Sequence, residues 1–262
     1  MRQIAIITDF GNSHYVGILK GVISLIDPNI RTIDITHNVS PQNIVEGAFI
    51  LKEALPFFAD NTVYLGIVDP QVGSKRRGIV VKSANRFFVG PDNGLFEFVF
   101  REYDFEVFEV VKNDFFTKNV SYTFHGRDIF APLAALIASG RDLSDIIRRT
   151  DNPVRLDIPS PIVSEQVITG EILYIDSFGN IITNISSDLV KNCRCSVKFK
   201  NKRLGRIRNT YSDVPRGVPV AVIGSSGMLE IAVNSGSAKK RFNVRDDRRD
   251  KNKIYVRIYG QK

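Results

Sequence analysis

The sequence predicts an α/β protein, with an N-terminal three-layer α/β domain built on a mostly parallel sheet and a smaller all-β domain after it. Three observations carry this. Residues 1–150 alternate short apolar runs with stretches that are apolar at helical spacing. A proline-dense segment with Pro153, Pro159 and Pro161 follows, as a linker would. Beyond it, short alternating runs are separated by Gly, Ser and Asn, the texture of a small barrel or sandwich. The predicted domains are 1–152 and 167–262, joined by a linker at 153–166.

The elements follow in order. Arg2–Thr8, containing Ile4-Ala5-Ile6-Ile7, reads as a buried strand. Tyr15–Ile26 carries Val16, Leu19, Ile23 and Ile26 on one helical stripe. Arg31–Thr36 is a second strand, Asn43–Phe58 a second helix with Pro56 near its end, and Thr62–Val68 a third strand. This β-α-β-α-β order makes a parallel sheet covered on both faces. Ile79–Lys82 and Arg86–Val89 read as a hairpin, Pro91–Gly94 as a turn, and Arg127–Ser139 as an apolar helix. After the linker, strands are expected at Val167–Ile175, Ser196–Lys200, Val218–Ile223, Leu229–Val233 and Ile254–Tyr259.

The chain has 262 residues, 43% hydrophobic and 24% charged, which excludes a disordered or fibrous protein. The first apolar run stops at Asp9, too short for a signal peptide, and no run approaches a membrane span. A cytoplasmic protein without membrane contact is expected. Cys193 and Cys195 are one residue apart and read as reduced thiols on a strand. The net charge is +8, with much of the excess in Lys239–Arg241 and Arg245–Lys253. The second run contains Asp246, Asp247 and Asp250 and no aromatics. It reads as a solvated hairpin, and nucleic acid is disfavoured as a partner.

Ligands of open parallel sheets bind beyond the carboxyl ends of the strands. Asp9 ends the first strand, His37 and Asn38 follow the second, and Asp69 follows the third. Three polar strand ends thus share one rim. Asp69 opens a loop reaching Lys75-Arg76-Arg77, so Asp69 can meet Arg76; as a surface ion pair alone this would contribute little. His125 stands before the apolar helix in "TFHGRDIFAP". Asp9-Phe10-Gly11 is not a kinase magnesium triplet, because the catalytic loop and Gly-rich loop that precede that triplet in kinases are absent before it. No Gly-x-Ser-x-Gly elbow, Walker Lys or zinc spacing is present. The chemistry left is a metal-free site of Asp, Arg and His. In the second domain, Asp176 ends a strand in "IDSFGNIITNI", Tyr211 sits in "NTYSDVPRG", and Ser225 and Ser226 sit in "IGSSGMLEIAVNSGSA".

Seven motifs, "TDFG", "VDPQVGSKRRGIVV", "GPDNGLF", "TFHGRDIFAP", "DSFGNIITNI", "TYSDVPRG" and "SSGMLEIAVNSGSA", run in order over nearly the whole chain. In them the sequence resembles the S-adenosyl-L-methionine (SAM) hydrolases that form adenosine, the SAM hydroxide adenosyltransferases, relatives of the fluorinase and chlorinase. The resemblance implies an α/β domain joined to a C-terminal β-barrel, and a homotrimer that binds SAM between the first domain of one subunit and the second domain of its neighbour. It implies that Asp9 holds the ribose hydroxyls, Phe178 and Tyr211 sandwich the adenine, and Asn180 bonds its edge. It further implies that Asp176 pairs with the methionine ammonium, Ser225 helps bind the carboxylate, and Asp69, Arg76 and His125 form a water-handling triad. Asn12-Ser13-His14 and Ser226 stand where the family pattern differs.

The expected reaction is attack of an activated water or hydroxide on the ribose C5′ of SAM, releasing methionine and adenosine, with SAM as substrate and no cofactor. Asp69 and His125 accept or relay the proton, in an order the sequence leaves open, and Arg76 orients the oxygen. Two alternatives compete: a halide-dependent SAM enzyme making 5′-halo-5′-deoxyadenosine, and a non-catalytic basic nucleic-acid-binding protein.

Overall fold

A computed structural model of the chain describes residues 2–191, 193–244 and 253–261. The chain divides into two compact units, residues 1–156 and 157–262.

The first unit runs β1 (Gln3–Thr8), α1 (His14–Ile26), β2 (Arg31–Thr36), α2 (Ile44–Ala54), β3 (Thr62–Ile67), β4 (Gly78–Ser83), β5 (Arg86–Pro91), α3 (Glu97–Glu102), β6 (Glu106–Val110), α4 (Ala131–Ala138) and β7 (Ile147–Thr150). Its seven strands form one sheet in the order β2-β1-β3-β5-β4-β6-β7. The expected three layers are present, but the sheet is mixed rather than mostly parallel. β2, β1, β3 and β5 run parallel, whereas β4, β6 and β7 pair antiparallel. The tight connection at Ala84-Asn85 forces β4 and β5 into a hairpin; α3 then carries the chain past β4, so that β6 pairs antiparallel with β4, and β7 pairs antiparallel with β6.

Alternation along β1 shows why both faces must be covered. Ile4 and Ile6 enter the core shared with Leu19 and Ile23 of α1 and Leu133 and Ala134 of α4. Ala5 and Ile7 enter the opposite core, with Leu51 of α2 and Val99 of α3. Each face is a separate apolar layer, as period-two side chains in a doubly covered sheet require. The apolar helix expected at Arg127–Ser139 begins one residue earlier as a π-turn over Gly126–Phe130 and continues as α4. α2 is shorter than the expected Asn43–Phe58 helix. Asn43 caps it, accepting from the Glu46 N–H, and a 3₁₀ turn at Leu55–Phe57 ends it around Pro56.

The segment read as the start of a linker is fastened to the first unit. Asp92, 3% exposed, accepts from Arg77 Nε at 2.9 Å, Arg77 Nη2 at 2.6 Å and the Val154 N–H at 2.8 Å. Glu97, 1% exposed, accepts from Arg155 Nε, Arg101 Nε and the Leu156 N–H. Two buried carboxylates therefore carry this unit as far as Leu156.

The second unit contains β8 (Ile162–Val163), β9 (Val167–Gly170), β10 (Ile172–Ile175), β11 (Ile181–Ser186), β12 (Cys193–Phe199), β13 (Lys202–Gly205), β14 (Pro219–Ile223), β15 (Met228–Val233), α5 (Ala238–Phe242) and β16 (Ile254–Gln261). They form two antiparallel sheets, β10-β11-β15-β14 and β13-β12-β16-β9-β8. The single strand expected at Val167–Ile175 is two strands. The chain leaves one sheet at Gly170 and enters the other at Ile172, with the Glu171 N–H donating to Asn184 Oδ1 at the step. Ile181, Ile185, Val197, Phe199, Ile231 and Ile254 fill the core between the sheets. Cys193 and Cys195 are free, half-buried thiols on β12. The hairpin expected at Arg245–Lys253 lies outside the described residues except for Lys253, which pairs with Glu171.

Candidate active site

Each unit presents its own cluster of candidate residues. In the first, β2, β1 and β3 lie side by side and parallel, so their carboxyl ends bring Asp9, His37 and Asp69 to one edge, as the sequence predicts. Asp9 does not cap α1; Ser13 holds that position without a side-chain cap bond. Asp9 instead accepts the Gln42 N–H at 2.8 Å. Burial raises its carboxyl above the ordinary range against that bond, and the charge of Asp69 adds to the rise. The two carboxylates therefore sense one another.

Asp69 and Arg76 do meet, and the pair is buried rather than superficial: the side chains are 7% and 4% exposed. Arg76 Nε donates to Asp69 Oδ1 at 2.9 Å, and Nη2 donates to Oδ2 at 2.5 Å, the bidentate fork of guanidinium on carboxylate. The face of Phe130 lies 5.0 Å from the guanidinium carbon. Gly73 shapes the loop that returns Arg76 to Asp69. Its φ is +78°, and a Cβ there would stand 2.2 Å from the Tyr122 carbonyl oxygen, so only glycine fits.

The same Nη2 lies 2.8 Å from His125 Nδ1. A guanidinium has donors only, so Nδ1 accepts and keeps its lone pair. When His125 is neutral, its proton is on Nε2. Desolvation lowers the imidazole below its ordinary range, and the Arg76 charge lowers it further against the pull of Asp69 and Asp128. At neutral pH His125 is therefore an uncharged ring whose Nε2–H is a donor. The three residues offer a carboxylate acceptor, a cation and a neutral N–H within one contact network, which suits holding and polarising a small polar nucleophile.

Sequence reasoning missed an aromatic cluster beside the first-strand and His125 motifs. Phe10, Tyr15 and Phe124 pack edge-to-face, with centroids 5.0–5.9 Å apart. The signal available was that Phe10 and Phe124 lie inside two of the motifs. His37 is held by Thr8 Oγ1 at 2.9 Å on Nδ1 and by Asp34 Oδ1 at 3.2 Å from Nε2.

In the second unit, Asp176, Phe178 and Asn180 share one turn. Asp176 Oδ1 accepts the N–H groups of Phe178 at 2.9 Å and Asn180 at 2.8 Å, and Oδ2 accepts Asn180 Nδ2 at 2.9 Å. The turn leaves the Phe178 ring 78% exposed. Gly179 closes it at φ +83°, where a Cβ would collide with Ser237 Oγ. Tyr211 opens a 3₁₀ turn capped by Thr210, and its ring is partly exposed. Its hydroxyl donates to Glu230 Oε2 at 2.7 Å. Burial first, then that carboxylate, push the phenol well above its ordinary range, so Tyr211 remains protonated and its ring is fixed. Glu230 was missed; an acid inside the buried run "MLEIAV" was the available signal. Ser225 is exposed, and Ser226 Oγ accepts from the Met228 N–H at 3.4 Å. Among the described residues, no group of three or more His, Cys, Asp and Glu could hold a metal ion.

Comparison with known proteins adds identity to this geometry. The chain is 34% identical over 246 residues to an (R)-S-adenosyl-L-methionine hydrolase of Salinispora tropica, covering 92% of this chain and 94% of that one. It is 33% identical over 262 residues to an enzyme of the same name from Thermus thermophilus, covering 94% and 97%. A fluorinase of Actinopolyspora mzabensis is less similar, 25% identical over 281 residues, covering 93% and 94%. A crystal structure of an uncharacterized conserved protein from Thermotoga maritima superposes with a TM-score of 0.86 at 37% identity, covering 97% of this chain and 99% of that one. Residues 4–147 match the SAM hydroxide adenosyltransferase N-terminal domain, and residues 170–249 match the C-terminal domain. With both domains matched in order along one chain, the protein belongs to the SAM hydroxide adenosyltransferase family.

Proposed function

We propose that this protein hydrolyses S-adenosyl-L-methionine to adenosine and L-methionine, with Asp69, Arg76 and His125 handling the attacking water. The observation that carries the reading is the buried Asp69–Arg76–His125 network, in a chain about one-third identical to hydrolases of that name over nine-tenths of its length. The sulfonium makes methionine a neutral leaving group. The C5′–S bond breaks, a C5′–O bond to water forms, and one water proton leaves for the protein and then for solvent. Bulk water, with a pKa of about 15.7, needs an acceptor and a fixed direction to do this. Asp69 supplies the acceptor. Arg76 and the His125 Nε2–H supply donors that turn a water lone pair toward carbon. His125 has its Nδ1 lone pair engaged by Arg76, so it orients while Asp69 takes the proton.

The remaining roles belong to the same reading. Asp9 receives the ribose hydroxyls. Phe178 and Tyr211 supply stacking faces for adenine, and Asn180, whose Nδ2 is engaged by Asp176, offers its Oδ1 to the adenine amine. Asp176 attracts the methionine ammonium, and Ser225 the carboxylate. A halide would meet the buried Asp69 carboxylate in the nucleophile's place, a repulsion of about 1 kcal/mol at 4 Å in water and larger in a desolvated site. A homotrimer in the cytoplasm, with SAM held jointly by neighbouring subunits, completes the reading. The two antiparallel sheets of the second unit share one core, which supports reading them as a small barrel. No described helix is long and apolar enough to cross a membrane. The test is incubation of the purified protein with SAM and chromatography of the products. Adenosine and methionine in equal amounts are expected; folded protein that leaves SAM intact refutes the proposal.

A further inference from the structure

The basic excess of this chain is not confined to its C-terminal run. On β16, period two sends Ile254 and Val256 into the core and Tyr255, Arg257 and Tyr259 outward. On the neighbouring β12, Val197 and Phe199 are buried while Arg194 and Lys198 are exposed. The register sets Lys198 opposite both Tyr255 and Arg203, and Ser196 opposite Arg257. The outer face of the five-stranded sheet therefore interleaves two tyrosines, 42% and 55% exposed, with four cations. None of the side chains of Arg194, Lys198, Arg203 and Arg257 has an ion pair or hydrogen bond among the described residues, and none of the residues of this face is acidic. A groove of about 490 Å³ on this face is lined by Lys198, Arg203, Tyr255 and Arg257, and a second of about 1040 Å³ adjoins it at Ser196 and Tyr259. The larger adds Lys191, Arg206 and Arg208, and its single carboxylate, Asp213, already accepts the N–H groups of Asn209 and Thr210.

We propose that this sheet face binds single-stranded nucleic acid. Four solvent-facing cations without a partner among the described residues make a positive surface that complements a polyanion. The two grooves meet at Ser196 and Tyr259, so an extended polyanion can follow both. Tyr255 and Tyr259 lie four residues apart on one strand, about 13 Å, with Arg257 between them. Alternating ring, cation and ring suits bases stacked on the tyrosines while a phosphate meets the arginine. A duplex keeps its base faces covered and cannot use the rings. None of these residues belongs to the proposed SAM site, so this binding stands or falls separately from hydrolysis.

The test uses the whole protein and a fluorescein-labelled twelve-nucleotide single-stranded oligothymidylate, read by anisotropy across a salt series. We expect saturable binding whose log affinity falls with log salt at a slope of about −3, from four cations at roughly −0.7 each. Tyr255→Leu with Tyr259→Leu keeps the bulk of β16 but removes the rings, and should weaken binding at least tenfold at unchanged melting temperature. Lys198→Ala with Arg257→Ala should flatten the slope by about 1.4. Absence of binding at low salt overturns the proposal. So does equal affinity for a duplex of the same length, or full binding by the tyrosine variant, since either would leave only a diffuse basic surface.

Discussion

Replacing Asp69 by Asn separates the triad from a mere ion pair. Asparagine keeps one acceptor oxygen in the same place but removes the charge that faces Arg76 through contacts of 2.5–3.1 Å. Both side chains are under 10% exposed, so solvent cannot substitute for the lost carboxylate. Breaking a buried pair by removing one partner costs about 3–5 kcal/mol, and the retained oxygen recovers part of that. A net loss of about 2–3 kcal/mol corresponds to a drop of roughly 4–12 °C in melting temperature for a chain of this size. An exposed pair would lose about 0–1 kcal/mol. Catalysis should fall further, because removing a positioned acid–base group costs about 10²–10⁴ in rate. The assay pairs SAM turnover with calorimetric SAM binding and a thermal melt. We expect a turnover loss of at least a hundredfold, with binding changed by less than tenfold. Normal turnover would remove Asp69 from the mechanism, and equal losses in binding and turnover would make it a substrate-holding residue.

Three other outcomes follow from particular contacts. Because desolvation and Arg76 lower His125, it stays neutral until pH falls below its ordinary 6.5. The acid limb of kcat/KM should therefore lie below that value and move upward in Arg76→Gln; a limb above 6.5 would refute the neutral ring. Burial alone would raise Glu97, but Arg155, Arg101 and the Leu156 N–H hold it down at about 2. A carboxyl depressed on folding stabilises above its unfolded pKa and loses that contribution as pH falls from about 5 to 2, here on the order of 3 kcal/mol. Glu97→Gln should thus destabilise at pH 7 and match the parent protein near pH 2 in denaturant titrations. Phe178→Ala should weaken adenosine binding by about 1–3 kcal/mol, whereas Tyr211→Phe, which loses only the bond to Glu230, should change it by less than 1 kcal/mol in calorimetry; the reverse order would contradict the stacking roles.

The rim of the first unit was legible because one local rule produces it. Parallel neighbours β2, β1 and β3 end together, so acids written just after apolar runs arrive at one edge. The pairing of Asp69 with Arg76 was legible from a separation of seven residues. What sequence could not show is burial, which turns that pair from a surface contact into the centre of a network. The mixed sense of the sheet was hidden because β6 and β7 are short and carry Glu106, Glu109, Arg148 and Arg149, whose mutual ion pairs replace an apolar signature. The switch of sheets at Glu171 was hidden because both halves of Val167–Ile175 are equally apolar and only the Asn184 contact parts them. In the second unit, the turn around Asp176 was visible as a motif, but its internal hydrogen bonds, which engage both carboxylate oxygens, depend on a φ that only Gly179 supplies.

The most direct measurement of the central claim is the origin of the 5′ oxygen. The protein is incubated with SAM in water enriched in oxygen-18, and the adenosine is analysed by mass spectrometry with fragmentation of the ribose. Direct attack of water at C5′ predicts one heavy oxygen per adenosine, located at the 5′ hydroxyl. Adenosine formed without the label, or with the label elsewhere, would contradict it.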